Sequence, residues 1–196
     1  MASGTQTIPY NEDYSLMIYQ NDTLTNDTYI TTDMRYSING TIGATDTYIG
    51  EFNTDLIIDF NGATNTVAKI CKDLVLGGYD DWYLPSTEEM TAIYNAGYIN
   101  FTGEYLWTST EYSFNSGYAI NTDTGELIGL NRNSYRSSIP VRKLYLNDYV
   151  TIERMNVQSI QADILRGGEN NADEDVYKML GGVNGISKNS NILSNE

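Results

Sequence analysis

Four carboxylates fall within one short stretch, GGYDDWYLPSTEEM, which runs from Gly77 to Met90. Asp80 and Asp81 are adjacent, and so are Glu88 and Glu89. Two facing carboxylates can run a glycosidase, one as acid and one as nucleophile or base. The same oxygens could hold Ca²⁺. Neighbouring residues usually point apart, however, and other duties account for each acid. Ser86 and Glu89 have the Ser-x-x-Glu spacing of a capping box, which ties both side chains to a helix start. Glu88 suits the positive end of that helix. Asp80 or Asp81 suits a hydrogen bond to a turn backbone. The stretch therefore reads as a structural corner. Gly77 and Gly78 end one helix, Trp82 and Leu84 bury apolar area, Pro85 holds Leu84 extended, and Ser86 caps the next helix.

Other chemistry is thinly supplied. The chain of 196 residues has no histidine, which removes the commonest general base and transition-metal ligand. A single cysteine, Cys71, forbids an internal disulfide and any cysteine-cluster metal site. No nucleophile elbow, phosphate loop or dinucleotide fingerprint occurs. Glu111 follows Trp107-Thr-Ser-Thr and reads as an internal acceptor, for Arg142 or for loop N–H groups, the alternative being that it faces a ligand. Asn121-Thr-Asp123-Thr-Gly125-Glu126 resembles a calcium loop only faintly, with its glycine misplaced, and reads as a hairpin turn. No cofactor and no metal is expected.

Charge narrows the partners. The net charge is −15, with eleven Lys and Arg scattered along the chain. Nucleic-acid surfaces need clustered cations, and an anionic membrane would repel such a protein. No apolar run has the length of a membrane span. The first twenty residues have neither a basic nor an apolar region of a secretory signal, so synthesis in the cytoplasm is expected. On that basis the Asn-x-Thr triplets at Asn21, Asn26, Asn39 and Asn100 reflect composition and are not glycosylation sites.

The elements around the corner follow from periodicity. SLMIYQ (15–20) and DLIIDF (55–60) read as strands. In NTVAKICKDLVLGG, Val67, Ile70, Cys71 and Leu74 share one helical face, with Asn65 as N-cap, Gly77 as stop and Cys71 as a small buried hydrophobe. The helix after Ser86 turns Met90, Ile93 and Tyr94 inward and ends at Gly97. From 105 the period becomes two. YLWTSTEYS, GYAINTDTGELIGL and SSIPVRKLYL read as consecutive strands, with a hairpin at 122–125 and Pro140 at an irregular place. After Asp148 the character changes. TIERMNVQSIQADILRGG fits helix or strand, ADEDVYKMLGG fits one short helix, and the remainder is polar and Gly-rich. We therefore expect a domain over 1–148 and an attachment or oligomerisation segment over 149–196.

Three motifs in order resemble one family. They are Gly78, Tyr79, Asp81, Trp82, Leu84, Pro85, Ser86, Glu89 and Met90; then Trp107, Thr108, Ser109, Thr110 and Glu111; then Val141 and Arg142. This pattern is similar to the C-type-lectin-like family typified by the C-terminal domain of the Legionella collagen-like protein, over roughly 60–146. The resemblance implies an α+β fold, two helices with a small twisted antiparallel sheet and long loops. It also implies a displayed binding module of bacterial surface or bacteriophage structural proteins, without a common enzymatic activity. Two departures stand out: Ile139 replaces the family's arginine before the late proline, and the lectin cysteine pair is absent. The Glu-Pro-Asn and Trp-Asn-Asp signatures of calcium-dependent sugar binding are missing too.

The expectation is a non-enzymatic structural or adhesive component of a virus particle, such as a bacteriophage tail or head fibre or a decoration protein. Residues 149–196 would bind other virion proteins or copies of the same chain in a homo-oligomer. Tyr112, Phe114, Asn115, Tyr118, Asn131, Arg132, Asn133 and Tyr135, on the late loops, are the candidate contacts for a host-surface glycan or protein. Tyr and Asn are adaptable contact residues. The alternatives are a bacterial surface adhesin for glycans and a glycan hydrolase working with Asp81 and Glu111.

Overall fold

The computed structural model describes residues 4–22, 27–62, 64–100 and 102–145. The expected attachment segment, 149–196, and the helices and strands read within it lie outside these residues.

Two early strands start the fold. β1 (Gly4–Pro9) and β2 (Tyr14–Asp22) form an antiparallel hairpin, Gly4 opposite Gln20 and Pro9 opposite Ser15. The other edge of β2 is shared. β3 (Asp27–Thr28) pairs near its end, and the last strand, β9 (Arg142–Tyr145), pairs with Tyr14 to Met17. Residues from opposite ends of the described chain thus meet in one sheet. β4 (Met34–Arg35) pairs with β8 (Tyr135–Arg136). β5 (Tyr105–Ser113), β6 (Ser116–Asn121) and β7 (Leu127–Asn131) form an antiparallel meander. The meander strands and the 122–125 turn were legible from alternation. β9 was also expected, but it starts only at Arg142 and joins β2 rather than the meander. Pro140 lies outside the strands.

Three helices sit among the described residues, not two: α1 (Gly50–Asn61), α2 (Val67–Lys72) and α3 (Thr87–Asn95). The segment DLIIDF, expected as a strand, lies inside α1. Its buried face is Gly50, Asn53, Thr54, Ile57 and Asn61, so polar and small residues occupy most of the inward stripe. Each polar one is satisfied. Thr54 Oγ1 donates to the Gly50 carbonyl at 2.7 Å and accepts from Leu84 N at 3.1 Å. Asn53 Nδ2 donates to the Asp46 carbonyl, and Asn61 Oδ1 accepts from Ile38 N. Satisfied polar groups can be buried at little cost.

α2 is shorter than expected. Thr66, not Asn65, caps it by accepting from Lys69 N, and it stops at Lys72 rather than at Gly77. Cys71 is buried on its inner face, and burial pushes its thiol pKa up, as for an inert core side chain. α3 carries the full capping box between Ser86 and Glu89. The core has two clusters. One joins Leu16, Ile18, Met90, Ile93, Leu106, Ile120 and Val141, and the other joins Tyr36, Ile57, Val67, Cys71, Leu84, Trp107 and Ala119.

Candidate functional site

The corner is a turn held by its tryptophan. Leu76 and Tyr79 exchange both backbone N–H bonds, at 2.9 and 3.1 Å. Gly77 and Gly78 between them have φ of 65° and 87°, as a two-residue turn of primed type requires. They form this turn instead of ending α2. Trp82 is fully buried, and its Nε1 donates to the Leu76 and Tyr79 carbonyls. Leu84, Pro85 and Ser86 follow it into the interior.

The corner's acids point to different tasks. Glu89 is fully buried and accepts from Ser86 N at 2.8 Å, Gly50 N at 3.1 Å, Tyr83 Oη at 2.8 Å and Tyr14 Oη at 3.3 Å. Burial raises its pKa, and these bonds, with Lys143 nearby, only partly offset that. Glu88 is exposed in the first turn of α3. Asp81 takes on a side-chain partner that its reading as a turn former did not include. It forms a two-bond pair with Arg142, at 2.5 Å to Nε and 2.7 Å to Nη2. That pair lowers the Asp81 pKa. The guanidinium also lies 3.9 Å over the Tyr79 ring. Beside it is a cleft of about 200 Å³ lined by Glu51, Asp81, Tyr83, Arg142, Lys143 and Tyr145. Lys143 pairs with Glu51 at 3.0 Å, so both cations of this cleft face carboxylates.

Glu111 finds a different arginine from the one expected. Its carboxylate pairs with Arg132, and it accepts from Gly43 N at 2.8 Å and Ile42 N at 3.2 Å. Arg132 is 0% exposed, which corrects its assignment as a loop contact. It also donates to Ser37 Oγ at 3.1 Å and to the Ser113 carbonyl, and it lies 5.5 Å from the Tyr36 ring. Its backbone N–H donates to Asn115 O, and its carbonyl accepts from Tyr36 N. One buried ion pair thus fastens three loops, 36–43, 113–116 and 131–135. The β5–β6 register slips on each side of Glu111, whose side chain is buried while Tyr112 beside it is exposed.

The rest of the candidate contacts lie on or beside this clamp. Phe114, Asn115, Asn131, Asn133 and Tyr135 are exposed. Phe114 O accepts from Gly40 N at 3.0 Å, and Asn133 reaches Asn39. Tyr135 accepts from Arg35 Nη2 at 3.1 Å. Tyr112 is exposed and meets half-buried Tyr118 edge to face, ring centres 4.9 Å apart. Sequence reasoning missed the first of the three loops, with Ser37, Ile42 and Gly43, because only tertiary contact reveals it. It also passed over Gly129, although glycine inside a strand signals close approach of another group.

Among the described residues no cluster of His, Cys, Asp and Glu is arranged to hold a metal ion, and no helix is long and apolar enough to cross a membrane. Comparison with protein families found no matching family model, and comparison with curated proteins found no match.

Proposed function

We propose that this chain is a non-enzymatic binding module with a C-type-lectin-like fold, displayed on a virus particle of bacteriophage type. The observation that carries the binding part is the loop clamp. Glu111 and Arg132 use their charges on each other and on backbone groups, while Tyr112, Phe114, Asn115, Asn131, Asn133 and Tyr135 stay exposed around them. A rigid interior bond network under exposed aromatic and amide side chains suits recognition, because little ordering is left for binding to cost. The α+β architecture with small antiparallel sheets supports the fold assignment, and the three sequence motifs support the particle assignment.

Hydrolysis is the weaker reading. Its two proposed carboxylates are both committed, Asp81 to Arg142 and Glu111 to Arg132. Sedimentation of purified particles tests the proposal. The chain is expected to travel with particles in stoichiometric amounts and to leave purified neutral oligosaccharides uncleaved. A chain found only as free monomer, or glycan cleavage lost in Asp81→Asn, would overturn it.

A further inference from the structure

The outer side of the meander carries an aromatic ledge, and we infer that it is a stacking site for one ring of a neutral pyranose glycan. This assignment rests on the binding-module reading above.

The geometry starts at Gly129. A methyl there would lie 2.4 Å from Tyr112 Cδ1, 2.7 Å from Cε1 and 2.8 Å from Cγ. The nearest atom's two ring neighbours are almost equally near, which is how a point above a ring face sits. An edge-on approach would leave the neighbours much farther away. Tyr112 therefore lies face-down on the bare glycine backbone, and it is 56% exposed. With one face against Gly129, the sugar would stack on the other. Tyr118, directly across from Gly129 in the β6–β7 register, stands at 83° to that ring and forms a wall. Two residues along on the same face, the Ser116–Asn131 pair supplies a hydroxyl and an amide group.

A flat apolar face with a wall and polar groups at its margin matches a pyranose, which has apolar C–H faces and a rim of hydroxyls. A protein partner needs about 800 Å² on each side. Two tyrosines offer at most about 150–250 Å² each, even if wholly covered. Charge decides the kind of sugar. At −15 the chain repels sulfated and uronic polymers, so the ring is neutral.

The test uses the full chain, with maltohexaose, cellohexaose and mannohexaose as probes and heparin as the anionic control. At least one neutral oligomer is expected to shift the Gly129 amide resonance, and heparin is not. Tyr112→Phe keeps the ring and should bind within about twofold of the parent. Tyr112→Ala should lose about tenfold, about 1.4 kcal/mol. The Gly129 shift is read in the unaltered protein, so the test stands even if Tyr112→Ala fails to fold. The inference falls if no neutral oligomer moves Gly129, if heparin moves it more, or if folded Tyr112→Ala binds like the parent. A silent ledge on a chain that still sediments with particles overturns only the sugar assignment. A silent ledge on a chain found only as free monomer overturns the particle reading as well.

Discussion

The clamp around Arg132 and the corner around Asp81 use the same partners, a carboxylate and a guanidinium, under opposite conditions. Arg132 is shut away from water, with Glu111, Ser37 and the Ser113 carbonyl as its acceptors. Asp81 keeps 52% of its side chain exposed while it grips Arg142. A desolvated charge costs several kcal/mol unless a counter-charge and hydrogen bonds offset it. At Arg132 the two Nη groups find acceptors while Nε has none among the described residues, whereas water shares the work at a half-open pair. The comparison teaches that motif membership is a poor guide to structural weight. Asp81 and Arg142 belong to the recognisable motifs. Arg132 belongs to none, although its partner Glu111 ends the second motif, and yet it joins three loops.

The strongest way to break the comparison is Arg132→Ala. It leaves Glu111 buried against two N–H groups with no counter-charge, and such losses cost about 3–5 kcal/mol. Urea unfolding should show that drop, and the amide resonances of 36–43 and 113–116 should move together. A loss no larger than that of Asp81→Asn would mean that the clamp is not what holds the loops.

Gly50→Ala comes next and probes the corner's own tight point. A methyl at Gly50 would meet Glu89 Oε2 at 2.4 Å, Ser86 N at 2.5 Å and Leu84 O at 2.6 Å. Two of these are backbone atoms, so α1 must back away from the start of α3. Overpacking of this kind costs about 1–3 kcal/mol. Thermal melts should show the loss. Unchanged stability would mean that α1 and α3 do not pack this closely.

These two positions also explain what could be read in the sequence. The corner was legible because its signals are local: Ser86 and Glu89 are three residues apart, and Trp82, Leu84 and Pro85 adjoin them. The meander was legible for the same reason, through alternation. α1 was not, because its inward stripe of Gly50, Asn53, Thr54, Ile57 and Asn61 carries no apolar period, while Phe52 and Phe60 face outward. Residues that bury by hydrogen bonding leave no hydrophobic trace. Arg132 misled for a related reason. Set between two exposed asparagines it reads as loop surface, and only Glu111, twenty-one positions earlier, explains its burial.

Within the corner, two carboxylates offer a finer contrast through their opposite response to pH. Burial holds Glu89 above the ordinary carboxylate pKa, so the folded state binds its proton more tightly than the unfolded chain does. Its share of stability is complete below the ordinary carboxylate range and is lost as pH rises through the raised value. Glu89→Gln presents an oxygen to Gly50 N and Ser86 N and an amide to the two tyrosine hydroxyls, so it should stay folded. Urea midpoints measured from about pH 3 to pH 8 should lose that decline. A decline that survives in Glu89→Gln would place it on another group.

Asp81 is the mirror case and the smallest effect. Arg142 holds its pKa down, so its contribution is present above the ordinary value and fades as pH falls toward the lowered one. Asp81→Asn keeps the shape but not the charge. Because the pair is half open to water, the loss at neutral pH should stay below about 1 kcal/mol, and salt should shrink it further. The variant and the parent should converge as the solution is acidified, since protonated Asp81 no longer attracts Arg142. A gap that persists at low pH would show that Asp81 acts through packing or a neutral hydrogen bond, and would end the contrast between an open pair and a closed one.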